Sequence, residues 1–193
     1  MKAIGVIPAR WGSTRFEGKI LALLNGRPMI EHVWQQVKKT KVLEDVVIAC
    51  DDERILKAAK DFGAKAVMTA KDHESGTDRI AEAVASIVVD VVVNIQGDEP
   101  LIDPGVIDAL AEALLKDPKL SIATVIKRIA NKEDLENPNV VKALIDQDKN
   151  ALYFSRSPIP YNRDGQPFSE KIYYKHLGLY AYRKDFLMGF KAL

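Results

Sequence analysis

A basic loop rich in small residues follows the first apolar run of the chain. Residues 3–7 are mostly apolar, and residues 8–19 continue with the sequence PARWGSTRFEGK. This segment alternates cations with glycine and serine: Arg10, Arg15 and Lys19 with Gly12, Ser13 and Gly18. Charged side chains, hydroxyl groups and backbone N–H groups can then converge on the oxygens of one polyanion. We therefore predict that the loop binds a triphosphate; the alternative is a solvated basic loop.

The two most familiar nucleotide loops do not match this segment. A Walker A loop places four residues between its glycines and a Ser or Thr after its Lys. Here five residues separate Gly12 from Gly18, and Ile20 follows Lys19. The sequence also lacks the G-x-G-x-x-G fingerprint of dinucleotide-binding proteins. We therefore interpret the segment as a third kind of nucleotide loop.

The composition is that of an ordinary globular protein with balanced charge. The 193 residues are 47% hydrophobic and 28% charged, and the net charge is +1, so neither a nucleic acid nor a membrane surface is indicated as a partner. Cys50 is the single cysteine, which excludes an internal disulfide and fits a reducing cytosol. The opening apolar run is too short for a signal-peptide core, and no run could span a bilayer. We expect a cytoplasmic protein.

Strands and helices alternate in the first part of the chain. Apolar runs predict four strands there, at residues 3–7, 46–49, 64–68 and 90–95, and the last is apolar enough to be buried on both faces. Asp51 or Asp52 is expected to cap the helix after the second strand, and Asp103 with Pro104 to begin the helix after the fourth. This order predicts an α/β domain with a largely parallel sheet and the first strand near its middle. Farther along the chain, strands are predicted at residues 121–128 and 173–182 and a hairpin at residues 140–154. We expect a single domain, residues 1–193, with a nucleotide-binding part (1–119) and a smaller mixed β lobe (120–193).

Polar residues follow the strand predicted at residues 90–95. Gln96 and Asp98 come directly after it, and ligands of open α/β sheets lie beyond the carboxyl ends of the strands. These two side chains are therefore expected beside the basic loop. Neighbouring side chains of an extended segment point in opposite directions, so Asp98 and Glu99 should not hold one ion together. We expect one of them to bind a metal and the other to be structural.

A second polar loop, residues 71–79, leads into a predicted helix. Ser75 and Gly76 lie at its N-terminus, where a Ser either caps the helix or donates to a polar ligand, and the sequence leaves both readings open. Arg79 lies in the first helical turn. Because a cation there opposes the helix dipole, we expect Arg79 to face an anion or a ligand carbonyl.

The second part of the chain carries polar side chains that could contact a substrate: Arg156, His176 and Tyr180. For His176 the alternative is a hydrogen-bonded histidine of the core. Tyr153 and Phe154 are expected in the core rather than stacked on a ligand.

Several segments together resemble one family, the 3-deoxy-manno-octulosonate (Kdo) cytidylyltransferases, also called CMP-Kdo synthetases. They read IPARWGSTRFEGK at residues 7–19, HESGTDR at 73–79, NIQGDEP at 94–100, and ALYFSRSPIP with HLGLYAY at 151–160 and 176–182. Many sugar nucleotidyltransferases share the first segment, whereas QGDEP and YFSR in this order are much more specific. The likeness covers essentially the whole chain.

The resemblance implies a fold like that of the nucleotide-diphospho-sugar transferases and transfer of CMP from CTP to the anomeric hydroxyl of Kdo. The products would be pyrophosphate and CMP-Kdo, which serves lipopolysaccharide biosynthesis. It also implies Mg²⁺ as cofactor and a homodimer, to which the Pro-rich arm within residues 151–182 would contribute. The alternatives are a related acid, such as 8-amino-Kdo or a sialic acid, and a catalytically inactive nucleotide-binding module.

The resemblance also assigns roles to single residues. The nucleotide site would contain Ala9, Arg10, Ser13, Arg15, Lys19, Ser75, Gly76, Arg79 and Gln96. The sugar-acid site would contain Gln96, Arg156, His176 and Tyr180. The catalytic residues would be Lys19, Arg15 and Asp98, with Asp98 as the ligand of Mg²⁺.

The chain departs from the family pattern at two places. Glu17 stands where a proline commonly precedes Gly-Lys, and we expect its charge to loosen the grip on a triphosphate. Family members also continue past the position of Leu193 to a segment with a second metal-binding aspartate. If catalysis needs two metals, one held by Asp98 and one by that later aspartate, the 193-residue chain should bind CTP and turn it over very poorly.

Overall fold

A central parallel strand organises the first of the two compact units that the chain forms. The structure, a computed structural model, describes residues 1–12, 16–163, 168 and 172–190. The first unit consists of Met1–Ala123 and Leu179–Leu193, and the second unit is Thr124–Gly178. The chain thus leaves the first unit, builds the second, and returns, so that its last strand begins in the second unit and ends in the first.

The elements follow one another along the chain as strand and helix in the first unit. They are β1 (Ala3–Ala9), a 3₁₀ helix (Lys19–Leu21), β2 (Leu23–Leu24), β3 (Arg27–Pro28), α1 (Met29–Val37), β4 (Leu43–Cys50), α2 (Glu53–Asp61), β5 (Lys65–Met68), α3 (Gly76–Val84), β6 (Val91–Asn94) and α4 (Pro104–Lys116). The remaining elements are β7 (Ile122–Arg128), α5 (Lys132–Glu136), β8 (Lys142–Ile145), β9 (Ala151–Ser155), β10 (Tyr174–Arg183) and α6 (Lys184–Phe190).

The sheet of the first unit has β1 at its middle. Every residue of β1 except Pro8 is buried, as expected of a strand that is covered on both faces. β1 pairs in parallel with β4 on one side and β6 on the other, and β5 extends the parallel sheet beyond β4. The end of β10, from Tyr180, adds one antiparallel strand beside β6. The predicted α/β class, the largely parallel sheet and the central first strand are confirmed.

The helices of the first unit are positioned by apolar stripes and by caps that the sequence carries. Ile80 and Val84 of α3 pack with Val6 of β1 in one buried cluster. Asp103 caps α4, with Pro104 in its first turn, as Asp and Pro prefer at these positions. No helix of the residues described here is long and apolar enough to cross a bilayer.

The second unit is built from antiparallel strands. β8 and β9 form the predicted hairpin, and the first residues of β10 pair with β8. A small core contains Ile129, Leu135 and Tyr173. Tyr153 is 62% exposed and Phe154 is also exposed, so the expectation that both lie in the core is wrong. The residues of β9 are largely exposed on both faces, and strand propensity alone does not reveal this.

The division of the chain by packing differs from the division by sequence pattern. The sequence suggested a second part that runs from residue 120 to residue 193, whereas the last strand from Leu179 onward and α6 belong to the first unit. Because the end of β10 pairs with β6, this segment belongs to the first unit. Such long-range pairing is not visible as local periodicity.

Candidate active site

A cavity of about 460 Å³ lies at the carboxyl ends of β1 and β6. Its lining contains Pro8, Arg10, Phe16, Lys19, Ile20, Gln96, Gly97 and Asp98. The basic loop after β1 and the polar loop after β6 thus meet at one edge of the sheet, because adjacent parallel strands end at the same edge. The cavity brings together two cations, an amide and a carboxylate that the sequence analysis selected.

Lys19 and Asp98 form an ion pair inside this cavity. Nζ of Lys19 donates to Oδ2 of Asp98 at 2.6 Å, and both side chains are roughly half exposed. An exposed pair of this kind contributes less than about 1 kcal/mol to stability. Separating the pair therefore costs little free energy. Once separated, the ammonium group can bind phosphate oxygens and the carboxylate can bind a hard cation.

Gly97 allows the two loops to approach each other. A Cβ atom at this position would lie 2.6 Å from Cδ1 of Ile20 and 3.3 Å from the carbonyl oxygen of Pro8. The Ile20 side chain can turn aside, whereas the backbone carbonyl of Pro8 cannot, so a larger residue shifts the two loops apart by a few tenths of an ångström. Glycine is required here for close approach rather than for an unusual backbone angle.

Gly97→Ala is therefore expected to lower kcat/KM by about tenfold or more, because small displacements of positioning groups have large effects on rate. Steady-state kinetics of the variant test this expectation, and thermal unfolding shows whether the variant is folded. Gly189→Ala is the matched control, since nothing lies within 4 Å of a Cβ atom there. Unchanged kinetics in Gly97→Ala would show that the loops tolerate separation.

Trp11 makes contacts that join the two ends of the basic loop. Its carbonyl oxygen accepts from the backbone N–H of Gly18 at 3.0 Å, and its indole Nε1 donates to Oε1 of Glu17 at 2.7 Å. The guanidinium of Arg54 lies over the indole ring, 3.5 Å from the ring centroid. Glu17 thus has a partner within the loop that the sequence analysis did not foresee. Its effect on triphosphate binding stays a prediction.

Two of the predicted loop residues, Ser13 and Arg15, lie outside the described residues. Ala9 ends β1 and is buried beside Cys50 of β4. Arg10, the next residue, lines the cavity.

Ser75 caps α3. Its Oγ accepts from the backbone N–H of Asp78 at 3.1 Å, and the Asp78 carboxylate accepts from the backbone N–H of Ser75 at 3.1 Å. These reciprocal hydrogen bonds form a capping box. Ser75 therefore caps the helix, which is one of the two roles that the sequence left open. A Cβ atom on Gly76 would lie 3.6 Å from Cγ of Pro8, so the start of α3 is close to the end of β1. Contact of Ser75 and Gly76 with a nucleotide stays a prediction.

Arg79 faces an anion, as its place in the first turn suggested, and the anion is Asp51. Arg79 is 3% exposed, and its Nη2 donates to Oδ2 of Asp51 at 3.0 Å. Its Nη1 donates to Oγ1 of Thr69 and to the carbonyl oxygen of Ala70. From the sequence, Asp51 was expected only as one of two possible caps of α2. Asp52 is the cap of α2. Adjacent side chains after a strand point in opposite directions, and this pattern could have indicated that only one of the two acids caps the helix.

The chain is similar to known cytidylyltransferases along its whole length. A family model described as cytidylyltransferase matches residues 4–193. A 3-deoxy-manno-octulosonate cytidylyltransferase of Pelobacter propionicus is 48% identical, over all of this chain and 79% of the relative. Its counterpart in Syntrophus aciditrophicus is 50% identical, over all of this chain and 78% of the relative. The chain belongs to the 3-deoxy-manno-octulosonate cytidylyltransferase family.

The fold of this family is also found by structural comparison. A solved CMP:2-keto-3-deoxy-manno-octonic acid synthetase in complex with CTP superimposes with a TM-score of 0.93 at 44% identity. The match covers all of this chain and 78% of the solved one. The family and the fold that the sequence motifs indicated are confirmed.

The residues predicted to bind the sugar acid in this family are divided between the two units. Gln96 lines the cavity of the first unit. Tyr180, also in the first unit, lies opposite Asn94 of β6 and stacks on Tyr182 with ring centroids 6.0 Å apart. Burial, with a smaller contribution from Tyr182, raises the pKa of Tyr180, so its phenol is protonated at neutral pH.

Arg156 and His176 belong to the second unit. Nη1 of Arg156 donates to the carbonyl oxygen of Pro138 at 2.9 Å. His176 Nε2 is 2.8 Å from Oγ1 of Thr124, and its ring packs on Phe154 with centroids 4.6 Å apart. Burial lowers the pKa of His176, so the imidazole is neutral at pH 7. These contacts agree with the alternative of a hydrogen-bonded, packed histidine, and a substrate contact stays a prediction.

The donors at the cavity suit a magnesium ion that is bound together with a substrate. Among the described residues, no group of three or more His, Cys, Asp or Glu side chains is placed to hold a metal. Mg²⁺ is usually bound by one or two carboxylates plus substrate phosphates rather than by a cage of protein ligands. The half-exposed Asp98 carboxylate fits this requirement. Burial, with a smaller contribution from Asp98, raises the pKa of Glu99, which makes Glu99 the poorer ligand.

Proposed function

We propose that this protein transfers CMP from CTP to Kdo, with release of pyrophosphate. The observation that carries the proposal is the cavity in which Arg10, Lys19, Gln96 and Asp98 converge in a chain of the Kdo cytidylyltransferase family. The structurally similar synthetase in complex with CTP supports the choice of nucleotide.

The reaction forms one bond and breaks one. The anomeric hydroxyl oxygen of Kdo bonds to the α-phosphorus of CTP and loses its proton, while the bond from that phosphorus to the bridging oxygen of the β-phosphate breaks. Positioning and charge neutralisation are the main contributions of a protein to such transfers. We assign Lys19 and Arg10 to the triphosphate, since both line the cavity. Lys19 would also stabilise the negative charge of the departing pyrophosphate.

Asp98 would hold Mg²⁺ in this proposal, and Lys19 would exchange its carboxylate partner for phosphate oxygens when CTP binds. When bound, Mg²⁺ neutralises phosphate charge and lowers the pKa of a coordinated hydroxyl group. Gln96 can donate and accept hydrogen bonds between the two substrates. Arg156 would pair with the carboxylate of the sugar acid, for which a guanidinium is well suited.

A substrate screen tests the proposed function. Release of pyrophosphate from CTP and Mg²⁺ is measured with Kdo, 8-amino-Kdo and N-acetylneuraminic acid, and CTP binding is measured separately by calorimetry. We expect the highest kcat/KM for Kdo. Higher kcat/KM for another acid would reassign the substrate, and CTP binding without turnover of any acid would indicate an inactive nucleotide-binding module.

We also propose that the protein is a cytoplasmic homodimer and that the second unit forms the interface. This unit exposes large apolar side chains: Leu152, Tyr153, Tyr161 and Ile172. Exposed large apolar side chains that lie together commonly mark an interaction site, and the proposal places these four in the interface. Pro158 and Pro160 support the proposal, since prolines stiffen an extended arm and prevent strand pairing.

Sedimentation velocity at micromolar concentration is expected to give a dimer, and Tyr153→Lys is expected to shift the protein toward a monomer because the lysine would place a charge in the interface. Val88→Lys is the control, because Val88 is an exposed apolar residue of the first unit. A monomeric parent protein would contradict the proposal, and so would equal effects of the two substitutions.

A further inference from the structure

Asp51 joins a buried arginine to the backbone of the basic loop. It follows β4 directly, and β4 pairs in parallel with β1 up to Ala9 and Cys50, which brings Asp51 beside the residues that follow β1. Its Oδ1 accepts from the backbone N–H of Trp11 at 2.8 Å, and its Oδ2 accepts from Nη2 of Arg79 at 3.0 Å. Asp51 is 8% exposed, so both hydrogen bonds are shielded from water and correspondingly strong.

Arg79 is itself fixed in place. Its Nη1 donates to Oγ1 of Thr69 and to the carbonyl oxygen of Ala70. Thr69 is tied to β4, because both its Oγ1 and its backbone N–H donate to the carbonyl oxygen of Cys50. The guanidinium therefore has three acceptors in the segments that follow β4 and β5, and a buried charge with so many partners does not reorient freely.

Trp11 connects Asp51 to the segments that carry both cations of the cavity. Arg10 directly precedes it, and the carbonyl oxygen of Trp11 accepts from the N–H of Gly18, which directly precedes Lys19. Gly18 has a φ of +67°, and a Cβ atom there would lie 2.7 Å from the Trp11 ring. The loop is therefore closed tightly at Trp11, and the position of the Trp11 backbone fixes where the segments that carry Arg10 and Lys19 begin.

We propose that Asp51 is a positioning residue of the triphosphate loop. It touches no substrate; it holds the Trp11 backbone so that the two flanking cations are placed before CTP arrives, and Arg79 holds Asp51. This inference rests on the proposed function, since it assumes that the loop binds a triphosphate. Preorganised charges bind more tightly because the ordering cost has already been met during folding. On this view Arg79 acts on the nucleotide site through Asp51.

The experiment uses Trp11 as an internal reporter. Trp11 and Trp34 are the two tryptophans of the sequence, so Trp34→Phe leaves Trp11 as the single tryptophan, which can be excited apart from the tyrosines. In this background Asp51→Asn replaces one carboxylate oxygen by an amide NH₂ group, so in the native geometry either the backbone N–H of Trp11 or Nη2 of Arg79 faces a donor instead of an acceptor. Acrylamide quenching of Trp11 without ligand, and the Kd of CTP, are measured at a temperature where circular dichroism shows each variant folded.

We expect stronger quenching of Trp11 in Asp51→Asn and a Kd for CTP that is raised by about tenfold, the usual consequence of losing one hydrogen bond to a charged group. Asp108→Asn is the matched control. Its carboxylate also accepts backbone N–H groups of a loop, those of Lys41 and Val42 at 3.0 Å. A purely structural role for Asp51 predicts that both substitutions lower Tm and leave quenching and Kd at the parent values.

The outcomes separate this inference from the proposed function. If the Trp34→Phe parent does not bind CTP, the proposed function fails. If it binds CTP, and Asp51→Asn leaves either the Kd or the quenching at the parent value, the positioning role is overturned. If Asp51→Asn does not fold, Arg79→Lys replaces it, since lysine keeps the charge next to Asp51 and cannot reproduce the bonds to Thr69 and Ala70; the same two outcomes then decide.

Discussion

Asp98→Asn is expected to lower kcat by roughly 100-fold or more, a magnitude typical of removing one electrostatic contribution to a transition state. Asn keeps the shape of Asp and loses the charge that holds a hard cation. The fold should be unaffected, because the ion pair of Asp98 with Lys19 is half exposed and contributes little to stability. Steady-state kinetics over a range of Mg²⁺ concentrations, together with thermal unfolding, test both statements.

Asp61→Asn provides the control for this experiment. Asp61 accepts from Nζ of Lys57 at 2.7 Å in an exposed pair on α2, which repeats the Lys19–Asp98 contact away from the cavity. The control should retain the parent kcat. Near-normal activity of Asp98→Asn would instead make Asp98 structural and Glu99 the candidate ligand, and Glu99→Gln would then be the variant to measure.

Lys19→Ala is expected to raise the Kd of CTP by roughly 100-fold, since a charge-assisted contact to the triphosphate is lost and the charge of Asp98 is left unneutralised. In the structure Nζ of Lys19 lies 2.6 Å from the Asp98 carboxylate. Without the ammonium group that carboxylate repels the phosphates. Binding of CMP should weaken far less, because CMP lacks the β- and γ-phosphates.

Calorimetric titrations of CTP and CMP without Mg²⁺ test this prediction. The double variant Lys19→Ala with Asp98→Asn should recover part of the CTP affinity in these conditions, because the repelling charge is gone. Lys57→Ala is the control, as a lysine with an aspartate partner on α2. Equal losses for CTP and CMP would mean that Lys19 does not contact the outer phosphates.

Local patterns in the sequence were sufficient for the architecture of the first unit. The run of valines at residues 91–93 predicted a strand buried on both faces, and β6 is fully buried. Asp103 and Pro104 predicted the start of α4, where Asp103 accepts from the backbone N–H of Gly105. Signals of this kind involve residues close together in the chain, so their physical cause is local and can be read from the sequence.

The meeting of the two loops could also be anticipated, because it follows from sheet topology. Once β1 and β6 are recognised as parallel neighbours, their carboxyl ends must lie at one edge, and Lys19 and Asp98 come together. The short helix α5 was not predicted, since five residues are too few to display a helical period.

The sequence by itself determined the family, the fold class and the residues gathered at the cavity, since each depends on motifs and on local periodicity. Only the tertiary structure decided which of two adjacent acids, Asp51 and Asp52, caps α2 and which binds Arg79 and Trp11. It also decided that Glu17 accepts from Trp11 and that Tyr153 is exposed. These outcomes depend on the direction of single side chains and on partners distant in the chain, and neither residue type nor spacing encodes them.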